Sequence, residues 1–128
     1  MTEYIELHAR SAFSFLEGAT PPEHLIQQAA TFEMPAMALL DRNGVYGAPR
    51  FQMEAKRQGI RAHIGAEVSV SDLGERLRPP AYLPHQWPIE PVRLPLLAES
   101  RVGYKNLCRL ITRFKLREST KAEGDARQ

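Results

Sequence analysis

His8, Asp41 and Glu67 are the side chains of this sequence best suited to holding a divalent metal. Zinc, manganese and iron take imidazole and carboxylate donors, and such a set can leave positions open for water and phosphate. Each residue closes a short apolar segment, namely Tyr4–His8, Ala36–Asp41 and Arg61–Glu67. Their separation of about thirty residues is that of one strand–helix unit. Parallel strands would bring all three to one rim, where α/β barrels keep their active sites. Beside them stand Arg10 and Arg42. A guanidinium is always charged, offers only donors and cannot ligate a cation. Three readings follow: a residual zinc or manganese centre, arginines that bind phosphate, or arginines that pair with Glu67 and Asp41 so that fixed cations neutralise the carboxylates.

The elements that must position these residues follow from pattern. Residues 4–8 read as a strand, and the loop Ser11–Gly18 carries aromatic side chains expected to pack over the rim. Thr20 is expected to cap a first helix, with Glu23 completing a capping box and Pro21 and Pro22 in its first turn. Leu25, Ile26, Ala29, Ala30 and Phe32 form its apolar stripe. Residues 34–40 are continuously apolar, as in a strand covered on both faces. A second helix over residues 47–58 ends at Gly59. Residues 60–64 give a third strand, and residues 67–70 a short additional one after a break at Gly65 and Ala66. The order strand–helix–strand–helix–strand predicts parallel strands with right-handed crossovers.

Beyond residue 70 the pattern changes. Prolines 79, 80, 84, 88 and 91 make residues 71–91 an irregular, proline-rich surface excursion. Arg76, Arg78 and Trp87 in it read as a solvated loop with an anchoring tryptophan, with nucleic-acid contact second. Residues 92–98 form a strand that Pro95 assigns to an edge or bulge. Ser100 caps a helix to about residue 117, with Leu107, Leu110, Ile111 and Phe114 on its buried side. Its basic series Lys105, Arg109, Arg113, Lys115 and Arg117 reads first as a solvated face and second as a surface near DNA. The charged tail 118–128 is expected to be disordered.

At 128 residues the chain suffices for one core but not for a closed eight-stranded α/β barrel, which takes about 250. A formal net charge of +2 does not by itself argue for nucleic acid. A single cysteine, Cys108, excludes an internal disulfide, and the absence of a long apolar run or signal-like amino terminus makes cytoplasm the expected compartment, with no membrane partner. Ser11 and Ser14 read as loop-capping residues rather than nucleophiles. His24 is expected to face solvent, and His63 to be a core or flank histidine.

The segment Glu6-Leu-His-Ala-Arg-Ser-Ala-Phe-Ser-Phe-Leu-Glu-Gly18 resembles the opening motif of the PHP (polymerase and histidinol phosphatase) family. It has the form found at the amino terminus of bacterial DNA polymerase III alpha subunits, and is most similar to the error-prone branch. Leu40-Asp41-Arg42-Asn43 with Val45-Tyr-Gly47 resembles the second motif, and Gly59-Ile-Arg-Ala-His-Ile-Gly-Ala-Glu67 the third. Leu94-Pro-Leu-Leu-Ala-Glu-Ser-Arg-Val-Gly-Tyr-Lys-Asn-Leu107 resembles the following strand and helix. The resemblance implies the amino-terminal part of a PHP domain over residues 1–117: an α/β, partial (β/α) barrel with parallel strands. It also implies divalent metals and phosphoester hydrolysis where the ligand set is complete. By the motifs, Arg10 and Arg42 replace two histidine ligands, and no later His-x-His follows Glu67. The chain is therefore expected to be non-catalytic and without a cofactor. Its expected partners are other polymerase domains or subunits, with DNA met indirectly during replication or translesion repair synthesis. The alternatives are a free-standing metal-dependent PHP phosphoesterase and a docking module for polymerase or nuclease partners.

Overall fold

The computed structural model describes residues 3–70 and 92–125, with side chains placed as far as residue 117. The proline-rich stretch 71–91, with Arg76, Arg78, His85 and Trp87, lies outside the described residues. The element order is β1 (Glu6–Ala9), α1 (Pro22–Thr31), β2 (Ala36–Arg42), α2 (Ala48–Gln58), β3 (Arg61–Val70), β4 (Val92–Leu97) and α3 (Arg101–Asp125). The strands form one curled sheet in the order β1-β2-β3-β4, a half-barrel consistent with part of a PHP-type barrel.

The apolar run of β2 makes it an inner strand, buried from Ala36 to Asp41 and flanked in parallel by β1 and β3. One face of the sheet is covered by α1 and α2, where Ile26, Ala29, Met37, Leu39, Phe51, Ala55 and Ile60 form the main core. A smaller cluster joins Ala66 and Val68 of β3 to Leu107 of α3, with Ile111 and Leu96 against it. Gly59 ends α2 in the left-handed region at φ 72°, which glycine adopts without steric cost. Ser100 caps α3 by accepting the Gly103 N–H at 3.1 Å.

Several expectations need correction. The strands are not all parallel, because β4 runs antiparallel to β3, with Gly65 opposite Leu97 and Val70 opposite Val92. A parallel return needs a crossover, usually a helix, and the sequence offered none between these strands. β3 is continuous rather than broken at Gly65. A Cβ there would stand 2.1 Å from the Leu96 carbonyl oxygen, so the glycine permits close strand approach instead of interrupting the strand.

Thr20 does not cap α1. The cap position is Pro21, in extended backbone (φ −57°, ψ 148°), and no side chain closes it. A residue before proline is pushed out of the helical region, so the pair Pro21-Pro22 delays the helix to Pro22. Glu23 instead receives Arg50 of α2, whose Nη2 lies 3.0 Å from Oε2. Phe32 lies past the end of α1 and is exposed, and Phe15 and Leu16 of the first loop face solvent rather than covering the rim. α3 continues beyond residue 117 to Asp125, and Leu110 of its expected stripe is exposed.

Candidate functional site

The three parallel strands bring His8, Asp41 and Glu67 to the same end of the sheet, but not to one point. Asp41 is opposite Ala66, whereas Glu67 is opposite Arg42. Side chains alternate along a strand, so this one-residue offset sends the two carboxylates to opposite faces. Asp41 shares the face of Met37 and Leu39 and points towards the start of α2. There a Cβ on Gly47 would lie 3.1 Å from its Oδ2.

Buried Asp41 obtains its hydrogen bonds from the first loop. The Ser11 N–H donates to Oδ1 at 2.7 Å, Ser11 Oγ to Oδ2 at 2.8 Å, and Ser14 Oγ to Oδ1 at 2.8 Å. Ser14 Oγ in turn accepts the Arg42 N–H at 3.0 Å. Both serines are buried. They bind the loop after β1 to the end of β2, a role more specific than the generic capping expected of them. The signal was present in the sequence: a carboxylate at the end of a buried strand requires donors, and two serines lay in the preceding loop.

Glu67 is on the other face, only 2% exposed. Its Oε2 is shared by His8 Nε2 at 2.5 Å and Arg10 Nη2 at 2.7 Å. Arg93 Nη1 approaches Oε1 at 3.5 Å. Burial is the largest single influence on this carboxyl and pushes its pKa upwards. Hydrogen bonds from Arg10 and His8, with their charges, outweigh it together and hold the group below its ordinary value of 4.5. An ionised carboxylate only accepts, so His8 Nε2 must carry the hydrogen of this contact.

A second carboxylate, Glu17, completes the cluster, although it carries no metal-ligand spacing in the sequence. It receives Arg93 Nη2 at 2.7 Å and Arg42 Nη1 at 3.2 Å, with Arg10 Nη1 at 3.6 Å. Thus Arg10 pairs with Glu67 as the pairing alternative required, but Arg42 turns to Glu17 and leaves Asp41 to the serines. Glu17 closes the same motif as the serines, and Arg93 enters from the antiparallel strand; neither carried a metal-ligand spacing that would have marked it. Three guanidiniums and an imidazole thus converge on two carboxylates.

This donor set does not fit a divalent metal. Glu67 Oε2 already accepts from Arg10 and His8, Oε1 lacks a hydrogen bond but has the Arg93 guanidinium 3.5 Å away, the His8 nitrogen nearest Glu67 is a donor, and Asp41 points to the opposite face. Among the described residues no group of three histidine, cysteine or acidic side chains is arranged to hold a metal ion. What the arrangement can do is fix the end of the sheet: the loop, β1, β3 and β4 are joined through partly buried ion pairs.

The PHP domain family matches residues 6–127. The error-prone DNA polymerase of Anaeromyxobacter sp. (strain K) is 47% identical over 110 residues, 86% of this chain and 9% of that protein. That of Mycobacterium tuberculosis is 42% identical over 106 residues, 83% of this chain and 9% of the relative. That of Symbiobacterium thermophilum is 39% identical over 123 residues, 96% of this chain and 10% of the relative. The chain thus spans about a tenth of the length of these relatives.

Among solved structures, an amidohydrolase from Chromobacterium violaceum with bound sulfate and no metal aligns with a TM-score of 0.56 and 27% identity, over 82% of this chain and 32% of that one. A protein described as a metal-dependent phosphoesterase from Bifidobacterium adolescentis aligns at TM-score 0.50 and 22% identity, over 54% of this chain and 23% of that one, a likeness of fold alone. The family match and the error-prone polymerase relatives together place the sequence: the chain belongs to the PHP domain family and is homologous to the N-terminal region of error-prone DNA polymerases.

Proposed function

We propose that this chain is a non-catalytic PHP scaffold serving an error-prone DNA polymerase in translesion repair synthesis, in a bacterial cytoplasm. The observation that carries this reading is the Arg10–Glu67 ion pair, made on the same carboxylate oxygen that His8 occupies. A guanidinium there supplies permanently the positive charge that a metal would otherwise supply, without Lewis acidity and without a site for water. The rim then serves rigidity. Its residues orient one another through the Arg10–Glu67, Arg42–Glu17 and Arg93–Glu17 pairs.

Partners of this scaffold are expected to be other domains of a larger polymerase. In support, β1 is an edge strand of the described sheet, and Leu7 on it and Tyr4 and Ile5 just before it are exposed. An unpaired edge with apolar side chains is a surface that further chain can cover. The test of the catalytic half of the proposal is hydrolysis of a chromogenic phosphomonoester and of a single-stranded oligonucleotide in zinc and in manganese. The expected result is turnover no greater than in buffer with metal alone. Metal-dependent hydrolysis that disappears on His8→Ala would establish the competing reading, a PHP phosphoesterase.

A further inference from the structure

The first loop holds two large apolar side chains in solvent, Phe15 at 80% and Leu16 at 89% exposure. Their outward placement is imposed from both sides. Ser14 before them is fixed to Asp41, and Glu17 after them to Arg42 and Arg93. Leu16 adopts φ 63°, a left-handed conformation uncommon for a residue other than glycine and kept only where the surroundings over-determine it. With Phe13, Glu17, Asn43 and Tyr46 these residues line an open cleft of about 530 Å³. The rings of Phe13 and Tyr46 are 6.4 Å apart between centroids. Contiguous exposed apolar surface of this kind marks a place of contact.

The cleft adjoins the point of the rim where β3 ends and β4 begins. Val70 stands opposite Val92, so residues 71–91 start and finish together there. Residues that line the cleft hold both ends. Asn43 accepts the Ser69 N–H at Oδ1 over 2.9 Å and donates from Nδ2 to Ser69 Oγ over 3.1 Å. Glu17 receives Arg93 Nη2 at 2.7 Å. In sequence, the stretch between these two fastenings contains five prolines, Tyr82 and the one tryptophan of the chain, Trp87.

We propose that the occupant of this cleft is residues 71–91 of the same chain, with Trp87 and its neighbouring prolines packed on Phe15, Leu16 and Tyr46. Three arguments select that occupant. Proline-rich segments present a pre-ordered apolar surface, and grooves lined with aromatic side chains recognise them. The distance is short: Arg93 already touches Glu17, next to Leu16, and the chain from Val92 back to Trp87 spans up to about 15 Å when extended. The third argument is the tether. A ligand on a short tether meets its site at an effective concentration on the order of millimolar, so a contact too weak to retain a separate protein suffices in the same chain. The inference goes beyond the scaffold reading and does not use the Arg10–Glu67 pair.

As the one tryptophan, Trp87 reports on the docking directly. The experiment records its emission maximum and its quenching by acrylamide in the whole folded chain, in the same chain unfolded in urea, and in Phe15→Ala and Tyr46→Ala. The folded parent is expected to emit to the blue of the unfolded chain and to be quenched less. Each substitution should shift the emission towards the unfolded value and raise the quenching, because loss of an aromatic contact lowers the docking equilibrium by up to about tenfold. Circular dichroism verifies that each variant is folded; Phe15, being exposed, gives the cleanest case. Dilution of the parent should leave its emission unchanged. A Trp87 quenched as readily in the folded chain as in urea would overturn the inference, as would shielding that survives both substitutions. Shielding lost on dilution would also overturn it, by assigning the cleft to a second copy of the chain.

Discussion

Removing the Asp41 carboxylate separates a structural role from a metal-ligating one. Asp41 is 1% exposed and accepts from Ser11 N, Ser11 Oγ and Ser14 Oγ at 2.7–2.8 Å. Asp41→Ala leaves these buried donors without their acceptor. An unsatisfied buried group costs about 1–3 kcal/mol, and hydroxyl rotation recovers part of it, so the expected loss is about 3–5 kcal/mol. That is a large share of the 5–15 kcal/mol by which an average domain is stable.

Asp41→Asn keeps the shape and one oxygen. Its Oδ1 can retain the Ser11 N–H and Ser14 bonds, while its amide donates to Ser11 Oγ, which has lone pairs to accept. The expected cost is therefore only about 1 kcal/mol. Urea unfolding followed by circular dichroism at a fixed pH measures both. If asparagine were as damaging as alanine, the negative charge rather than the hydrogen-bond geometry would be what the fold requires. If alanine cost less than about 1 kcal/mol, the serine–Asp41 hydrogen bonds would not be what holds the loop.

Two further predictions concern packing and pH. Gly65→Ala should destabilise by at least about 2 kcal/mol in the same assay, because its Cβ would lie 2.1 Å from the backbone oxygen of Leu96; Gly44→Ala meets chiefly the ring of exposed Tyr46, which can swing away, and should cost less. Stability should fall on acidification. Glu67, Glu6 and Glu23 are held below the ordinary value of 4.5, Glu67 against its own burial by Arg10 and His8, Glu6 by Tyr4, and Glu23 by Arg50. The folded chain then binds fewer protons than the unfolded one, so the contribution is complete above 4.5 and is lost as pH drops through the folded-state values. A urea midpoint that stayed constant or rose through that range would contradict the pairing.

Much of the fold was legible because local rules and tertiary demands agreed. The apolar run ending at Leu40 could only be an inner strand, and Gly59 could only end a helix. The failures occurred where a tertiary neighbour decided the outcome. Gly65 looked like a strand break until Leu96 was placed against it, and β4 needed its partner strand to reveal its direction. The Thr20 capping box was a sound local signal overridden by another local rule, the restriction each proline places on its predecessor.

At the rim, spacing located His8, Asp41 and Glu67 at one end of the sheet but could not show that Asp41 and Glu67 point to opposite faces. That depends on a one-residue register between β2 and β3. Glu17 and Arg93, which complete the ion-pair cluster, lie on a loop and on an antiparallel strand; Glu17 closes the opening motif, but neither carries a metal-ligand spacing.

We propose that ion pairs, not a metal, neutralise this rim. The most direct test is to equilibrate the protein with zinc and with manganese, desalt it and measure bound metal. The desalted protein is expected to hold no stoichiometric metal, and His8→Ala to leave that result unchanged. Near-stoichiometric metal that is lost on His8→Ala would contradict it.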